Sequence, residues 1–271
     1  AILLADHRNG EVLAEVGAAD WTDGASAGFV DMTQAWRSPG SALKPFVYAL
    51  AFDDGLAHPE TLIEDRPTAF GLWQPQNFDH QFRGTVSLRN ALIWSLNIPV
   101  VKLADTVGPN RIAQVLRRGG VELRLPGDVP GLAITLGGAG TTLEGLAEGY
   151  AALARGGRGI ALSPLPGGAA PRPAAMLGAV AAWQVGDILA RNPAPQGARR
   201  DDVAGRGRHE RVGVRGAGRV QRGGRDRPDA PQRPRLGVPD PRAHRRRRRL
   251  VGRDRGPRPG GRAPGRPRPA H

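Results

Sequence analysis

The sequence predicts a mixed α/β domain over residues 1–195 and an Arg/Gly/Pro-rich disordered tail over residues 196–271. Three observations carry this. Two apolar runs flank an Asn-Gly turn at the N-terminus, as in a β-hairpin. Apolar residues then recur at helical spacing in several later segments. Near residue 195 the composition changes abruptly.

The elements follow in order. Ala1–Asp6 and Glu11–Val16 surround His7-Arg-Asn9-Gly10 and read as two antiparallel strands. Residues 17–40 are irregular and rich in Gly, Asp and Ser. A helix is expected from Ser41 to about Asp53, with Pro45 tolerable only in its first turn. Glu60–Gly84 reads as a long loop carrying Phe70, Trp73, Phe78 and Phe82, and loops of that length are usually functional or disordered. Ser87–Ser95 reads as a helix ended by Asn97-Ile98-Pro99. Ile112, Val115 and Leu116 mark another, closed by Gly119-Gly120, with Arg117-Arg118 favourably placed at its C-terminal dipole. Thr141-Thr-Leu-Glu144 fits a capping box made by Thr141 and Glu144, followed by the stripe Leu146, Tyr150, Leu153. A last helix is expected over Ala174–Asn192, with Val180, Trp183 and Ile188 on its buried side.

The formal charge of +14 would alone suggest a polyanionic partner, but it is unevenly spread. Residues 201–271 hold 22 Arg, no Lys and 7 acidic residues, so the rest of the chain is close to neutral. Ile, Leu, Val and Phe number 8 of those 71 residues, too few for a charged segment to bury a core. Arg245–Arg249 and the surrounding composition admit an arginine-rich nucleic-acid-binding tail, so a nucleic-acid partner is expected only if the tail is genuine. Against it stand the absence of lysine and of aromatics for base stacking. Translation of GC-rich DNA in a wrong frame produces this same mixture, and that reading is preferred.

With no cysteine, disulfides, thiolate metal sites and thiol nucleophiles are excluded. No run approaches the roughly 20 apolar residues of a membrane span, and Ala1–Ala5 is too short for a signal-peptide core. The chain does not start with Met and is read as beginning inside a domain. His7, His58 and His80 lie apart from one another and from carboxylate pairs, and are expected to be polar surface residues.

Ser41-Ala42-Leu43-Lys44 opens a helix directly after Ser38-Pro39-Gly40. Residues at i and i+3 share a face, a serine needs a base to become a nucleophile, and a lysine kept neutral by burial can be that base. The helix N-terminus adds dipole and backbone donors for a developing oxyanion. The plain alternative is an N-cap serine with a solvent-facing lysine. Ser95-Leu96-Asn97 lies 54 positions after Ser41. There a hydroxyl can relay a proton and an amide can hold a substrate peptide bond; the alternative is a helix end with a turn-forming Asn.

Together these motifs resemble the penicillin-binding proteins and serine β-lactamases. The likeness extends to Arg37-Ser-Pro-Gly-Ser-Ala-Leu-Lys-Pro-Phe46, Gln74-Pro-Gln-Asn-Phe-Asp79, Val86-Ser-Leu-Arg-Asn-Ala-Leu92, Ser95-Leu-Asn-Ile-Pro99 and Leu136-Gly-Gly138, which look like the bifunctional class A type. The resemblance implies an antiparallel sheet covered by helices, plus an all-helical part containing the Ser95 motif. It further implies Ser41 as the acylated nucleophile, Lys44 as its general base, Ser95 as proton relay and Asn97 as a substrate ligand. The expected reaction is D,D-transpeptidation of peptidoglycan stem peptides ending in D-Ala-D-Ala, with β-lactams as covalent inhibitors and no cofactor or metal. Intact family members are membrane-anchored, work in the periplasm or otherwise outside the cytoplasm, and carry an upstream glycosyltransferase domain.

Two departures stand out. Ala42 occupies a position where family members usually carry Thr. More seriously, the third family motif, Lys-Thr-Gly, should follow the last helix on a strand lining the site. The lysines are Lys44 and Lys102 alone and the last threonine is Thr142, so no such motif follows. The sheet is therefore expected to be incomplete, and a catalytically impaired remnant of the family remains an alternative.

Overall fold

The computed structural model describes residues 1–24 and 27–192. The tail over 196–271, with its arginine run and any disorder, lies outside the described residues. Within them the chain alternates short antiparallel ladders with six α-helices.

The N-terminal hairpin pairs β1 (Ile2–Ala5) with β2 (Val12–Val16), in the register Ile2↔Val16, with an irregularity between Leu4 and Ala5. Gly10 takes φ +77° in its turn, where an L side chain would be strained. The backbone of Gly10 and Val12 bonds to Ser163, which ties this hairpin to a later one, β5 (Arg158–Ala161) with β6 (Ala170–Ala175). Between them β3 (Leu62–Asp65) pairs with β4 (Gly84–Ser87). The segment expected to be a loop from Glu60 to Gly84 thus begins and ends in a ladder. Its four-residue strands have too little alternation to declare themselves before their partners meet.

Gly40–Leu43 forms a 3₁₀ turn and α1 runs from Lys44 to Asp53, so the expected Ser41–Asp53 helix is divided at Lys44. Pro45 sits in the first turn of α1, where its missing N–H costs nothing. Every residue from Lys44 to Phe52 is buried. A helix apolar on all sides belongs at the centre of a domain. Accordingly α3 (Asn97–Val107), α4 (Pro109–Arg118) and α6 (Ala179–Ala190) pack around α1.

Three boundaries differ from the sequence reading. Asn97-Ile98-Pro99 does not end a helix; α2 (Leu88–Ile93) stops earlier, and Asn97 begins α3 with Pro99 still inside its first turn. The helix α5 (Leu143–Ala154) is capped by Thr142, whose hydroxyl accepts from Gly145 N at 3.0 Å, not by Thr141. Thr141 instead pairs its backbone with Arg37, and Glu144 meets Gln34 rather than closing a box. Finally, residues 170–175 form β6, so the last helix starts only at Ala179. Val180 and Trp183 are 71% and 68% exposed; the buried side is Ala181, Ala182, Val185 and Ile188. Small residues there let α6 approach α1, and the Asp53 carboxylate accepts from Gly178 N at 3.0 Å, just before the first turn of α6.

Candidate active site

The serine turn is held from behind. Arg37 and Thr141 exchange backbone hydrogen bonds of 2.9 Å, and Ser38 Oγ donates to Gly137 O at 2.8 Å. Gly137 has φ +93°, and a Cβ there would lie 2.7 Å from Gly40 Cα. The Leu136-Gly-Gly138 motif therefore has a physical cause: two backbones meet directly before Ser41, and only glycine leaves room.

Lys44 N–H donates to Ser41 O, closing an i to i+3 turn. In such a turn side chains at i and i+3 lie one above the other. Ser41 is exposed, and its hydroxyl has no hydrogen-bond partner among the described residues. Lys44, by contrast, is 1% exposed. Its Nζ donates to Ser95 O at 2.5 Å, Asn97 Oδ1 at 2.6 Å, Ser95 Oγ at 3.1 Å and Leu96 O at 3.3 Å. Burial pulls its pKa down from 10.5 to about 8, because the charged form loses hydration. The solvent-facing alternative for this lysine is thereby removed.

Ser95 and Asn97 reach Lys44 because the chain reverses between α2 and α3. Ser95 has φ +54°, a left-handed conformation rare outside glycine. Its N–H donates to Leu92 O at 3.0 Å, and Leu96 N–H to Ala91 O at 2.9 Å. Strain of this kind at a non-glycine residue persists only where the surroundings over-determine it, and it clusters at functional sites.

Two participants escaped the sequence reading. Asn97 N–H, unpaired within α3, donates to Asn77 Oδ1 at 2.7 Å, and Asn97 Nδ2 donates to Gln76 O at 2.6 Å. Asn77 Nδ2 in turn donates to the Asp65 carboxyl at 2.9 Å and to Gln81 O at 2.8 Å. Asn77 lies in the Gln74-Pro-Gln-Asn-Phe-Asp79 stretch, which carries part of the family resemblance but has no local pattern that marks a role. Asp65 had no signal, since Glu64-Asp65-Arg66 reads as a polar loop. Of the aromatics in this segment, Phe78 is 99% exposed, and Phe70 meets Trp73 in a tilted pair with ring centroids 6.3 Å apart.

A cavity of about 490 Å³ beside these elements is lined by Trp36, Arg37, Ser38, Arg124 and Gly137–Gly140. It flanks the serine turn and does not enclose Lys44 or Ser95. His58 and His80 are exposed and His7 is half-buried; none bonds to Lys44, Ser95 or Asn97. No helix among the described residues is long and apolar enough to cross a membrane.

A serine turn, a buried lysine three residues on and a second Ser-x-Asn turn against that lysine make up the site. The family model of the penicillin binding protein transpeptidase domain matches residues 1–165, and the chain belongs to that family. It is 43% identical over 197 residues to penicillin-binding protein 1C of Escherichia coli (strain K12), covering 72% of this chain and 25% of that protein. Penicillin-binding protein 1A of Rickettsia felis is 32% identical over 166 residues, and that of Neisseria lactamica 34% over 165, each match covering 20% of the relative. The chain thus spans a quarter or less of the length of these curated relatives.

Proposed function

We propose that the described domain is the serine D,D-transpeptidase unit of a peptidoglycan-cross-linking protein, with Ser41 as nucleophile, Lys44 as general base, Ser95 as proton relay and Asn97 as substrate ligand. The observation that supports it best is the seat of Lys44. Of the four acceptors around Nζ, three are carbonyl or amide oxygens and can only accept. Ser95 Oγ alone can also give a proton.

Neutral Lys44 takes the proton of Ser41 as Oγ attacks the carbonyl of the penultimate D-Ala. The peptide bond to the terminal D-Ala breaks, and its nitrogen receives a proton passed from Lys44 through Ser95. The resulting ester is then attacked by the amine of a neighbouring stem peptide, which forms the cross-link and returns the proton to Ser41. A β-lactam enters the same first step: its ring amide opens onto Ser41 Oγ, and the ring nitrogen takes the proton. The substrate places the working domain outside the cytoplasm.

The test is mass spectrometry after incubation with benzylpenicillin. An adduct of the full inhibitor mass on the peptide containing Ser41, absent from Ser41→Ala, is expected. An adduct confined to another residue would overturn the assignment. A second reading, a family member with impaired chemistry, is favoured by one observation, the absence of Lys-Thr-Gly after α6.

A further inference from the structure

We infer that Asn77, backed by the Asp65 carboxyl, is a positioning residue that holds the Ser95-Leu96-Asn97 turn against Lys44. The inference rests on the proposed roles of Ser41 and Lys44.

The geometry is a continuous run of hydrogen bonds. Arg83 N donates to Asp65 Oδ2 at 2.8 Å, and Asn77 Nδ2 reaches the same carboxyl at 2.9 and 3.1 Å. Asn77 Oδ1 accepts from Asn97 N at 2.7 Å, and Asn97 Oδ1 accepts from Lys44 Nζ at 2.6 Å. Asp65 is 0% exposed and Asn77 3%. Among the described residues no arginine or lysine side chain pairs with the Asp65 carboxyl. Burying a carboxyl and an amide is costly unless their bonds are made. The ladder between β3 and β4 needs neither side chain, because its register is set by backbone pairs.

What the pair does secure is the start of α3. Asn77 caps the Asn97 N–H from a segment 20 positions away, so the helix start is fixed relative to β3 and not only to its own flank. With that start fixed, Ser95 is kept at φ +54° and its carbonyl and hydroxyl stay on Lys44. Fully bonded polar networks in a core specify one arrangement among several of similar packing. A simple helix cap would change stability when removed; a positioning pair must also change the surroundings of Lys44.

That difference is measurable because the chain has two lysines, Lys44 and Lys102. The full chain labelled with ε-¹³C-lysine is titrated by NMR, with Lys102→Arg assigning the signals. In Asn77→Ala, water reaches Nζ as the turn loosens, and the Lys44 midpoint is expected to rise from about 8 towards 10.5, by about one pH unit. The isosteric Asp65→Asn keeps one oxygen for Arg83 N and Asn77 Nδ2 but sets an amide donor against Asn77 Nδ2 in place of Oδ1, and is expected to give a smaller rise. Phe78→Ala, a neighbour with an exposed side chain, should give none. An unchanged Lys44 midpoint in folded Asn77→Ala and Asp65→Asn overturns the inference. So does loss of folding in both, read by near-UV circular dichroism, since the pair would then be part of the core alone. Benzylpenicillin labelling of the unsubstituted chain separates the two readings: a responsive Lys44 with Ser41 unlabelled sinks the catalytic assignment and leaves the positioning intact.

Discussion

Lys44 Nζ stands 2.6 Å from Asn97 Oδ1, across 53 positions of sequence. The bond makes the first and second motifs one unit, and it is made by a lysine that burial has pushed down to about pH 8. A charged ammonium surrounded by oxygens is a resting state; the neutral amine that serves as base appears as pH rises.

Acylation of Ser41 by benzylpenicillin should therefore climb with pH through a midpoint of about 8, the folded value for Lys44. Rates measured from pH 6 to 9.5 by quenched mass spectrometry check this, and a flat profile would remove Lys44 as base.

The same shift makes a stability statement. The folded value, about 8, lies below the unfolded 10.5, so between them the unfolded chain binds the extra proton. Below about pH 8 the full cost of burying the charge is present, and stability should rise as pH goes from about 8 to 10.5. Buried Tyr48 and half-buried Tyr150, whose hydroxyls desolvation pushes up, work the other way above their ordinary value of 10.0. Urea midpoints of the unsubstituted chain and Lys44→Met, subtracted at each pH, isolate the lysine. A difference that does not change with pH would contradict the linkage.

Without Lys-Thr-Gly the chain should acylate far more slowly than a relative that has it. Loss of one oxyanion donor typically costs ~10²–10³ in rate, and in the family the motif would also hold the substrate carboxylate. Stopped-time labelling of this chain beside a family member carrying the motif decides the point; equal rates would show the third motif to be dispensable here.

Gly137→Ala should disturb the serine turn from behind. The new methyl would meet Ser38 Oγ at 2.4 Å and Gly40 Cα at 2.7 Å, on a residue at φ +93°. Overpacking and a positive φ together predict a loss of about 1–3 kcal/mol. Urea unfolding measures it, and a parallel fall in Ser41 labelling is expected. Gly186→Ala, where a Cβ meets nothing within 4 Å, is the control.

The coding DNA for residues 190–210 is expected to show a change of frame, with Lys-Thr-Gly encoded in another frame downstream. Lysine, threonine, isoleucine and every aromatic are missing from Asn192 onwards, whereas an ordinary linker loses only apolar types. Translation in three frames tests this. If neither alternative frame carries the motif or a strand-like pattern, the tail is genuine, and nucleic-acid binding that weakens steeply with salt and vanishes on its removal is expected instead.

What the sequence determined by itself was local. The Asn9-Gly10 turn marks a hairpin because its chemistry lies in two adjacent residues, and Ser41 and Lys44 share a face because helical spacing puts them there. The spacing of Ile112, Val115 and Leu116 likewise marks α4. The tertiary structure decided whatever depends on a distant partner. Trp183 is large and apolar, yet it faces out, because the side of α6 that is buried carries Ala181, Ala182, Val185 and Ile188. Ser95 takes a glycine-like φ that no local pattern signals. Asp65 and Asn77 look like loop residues until β3 folds beneath Asn97 and buries them. A hydrogen bond joining residues 12, 20 or 53 positions apart leaves no periodicity in the chain that makes it, and only the folded geometry brings the donor to its acceptor.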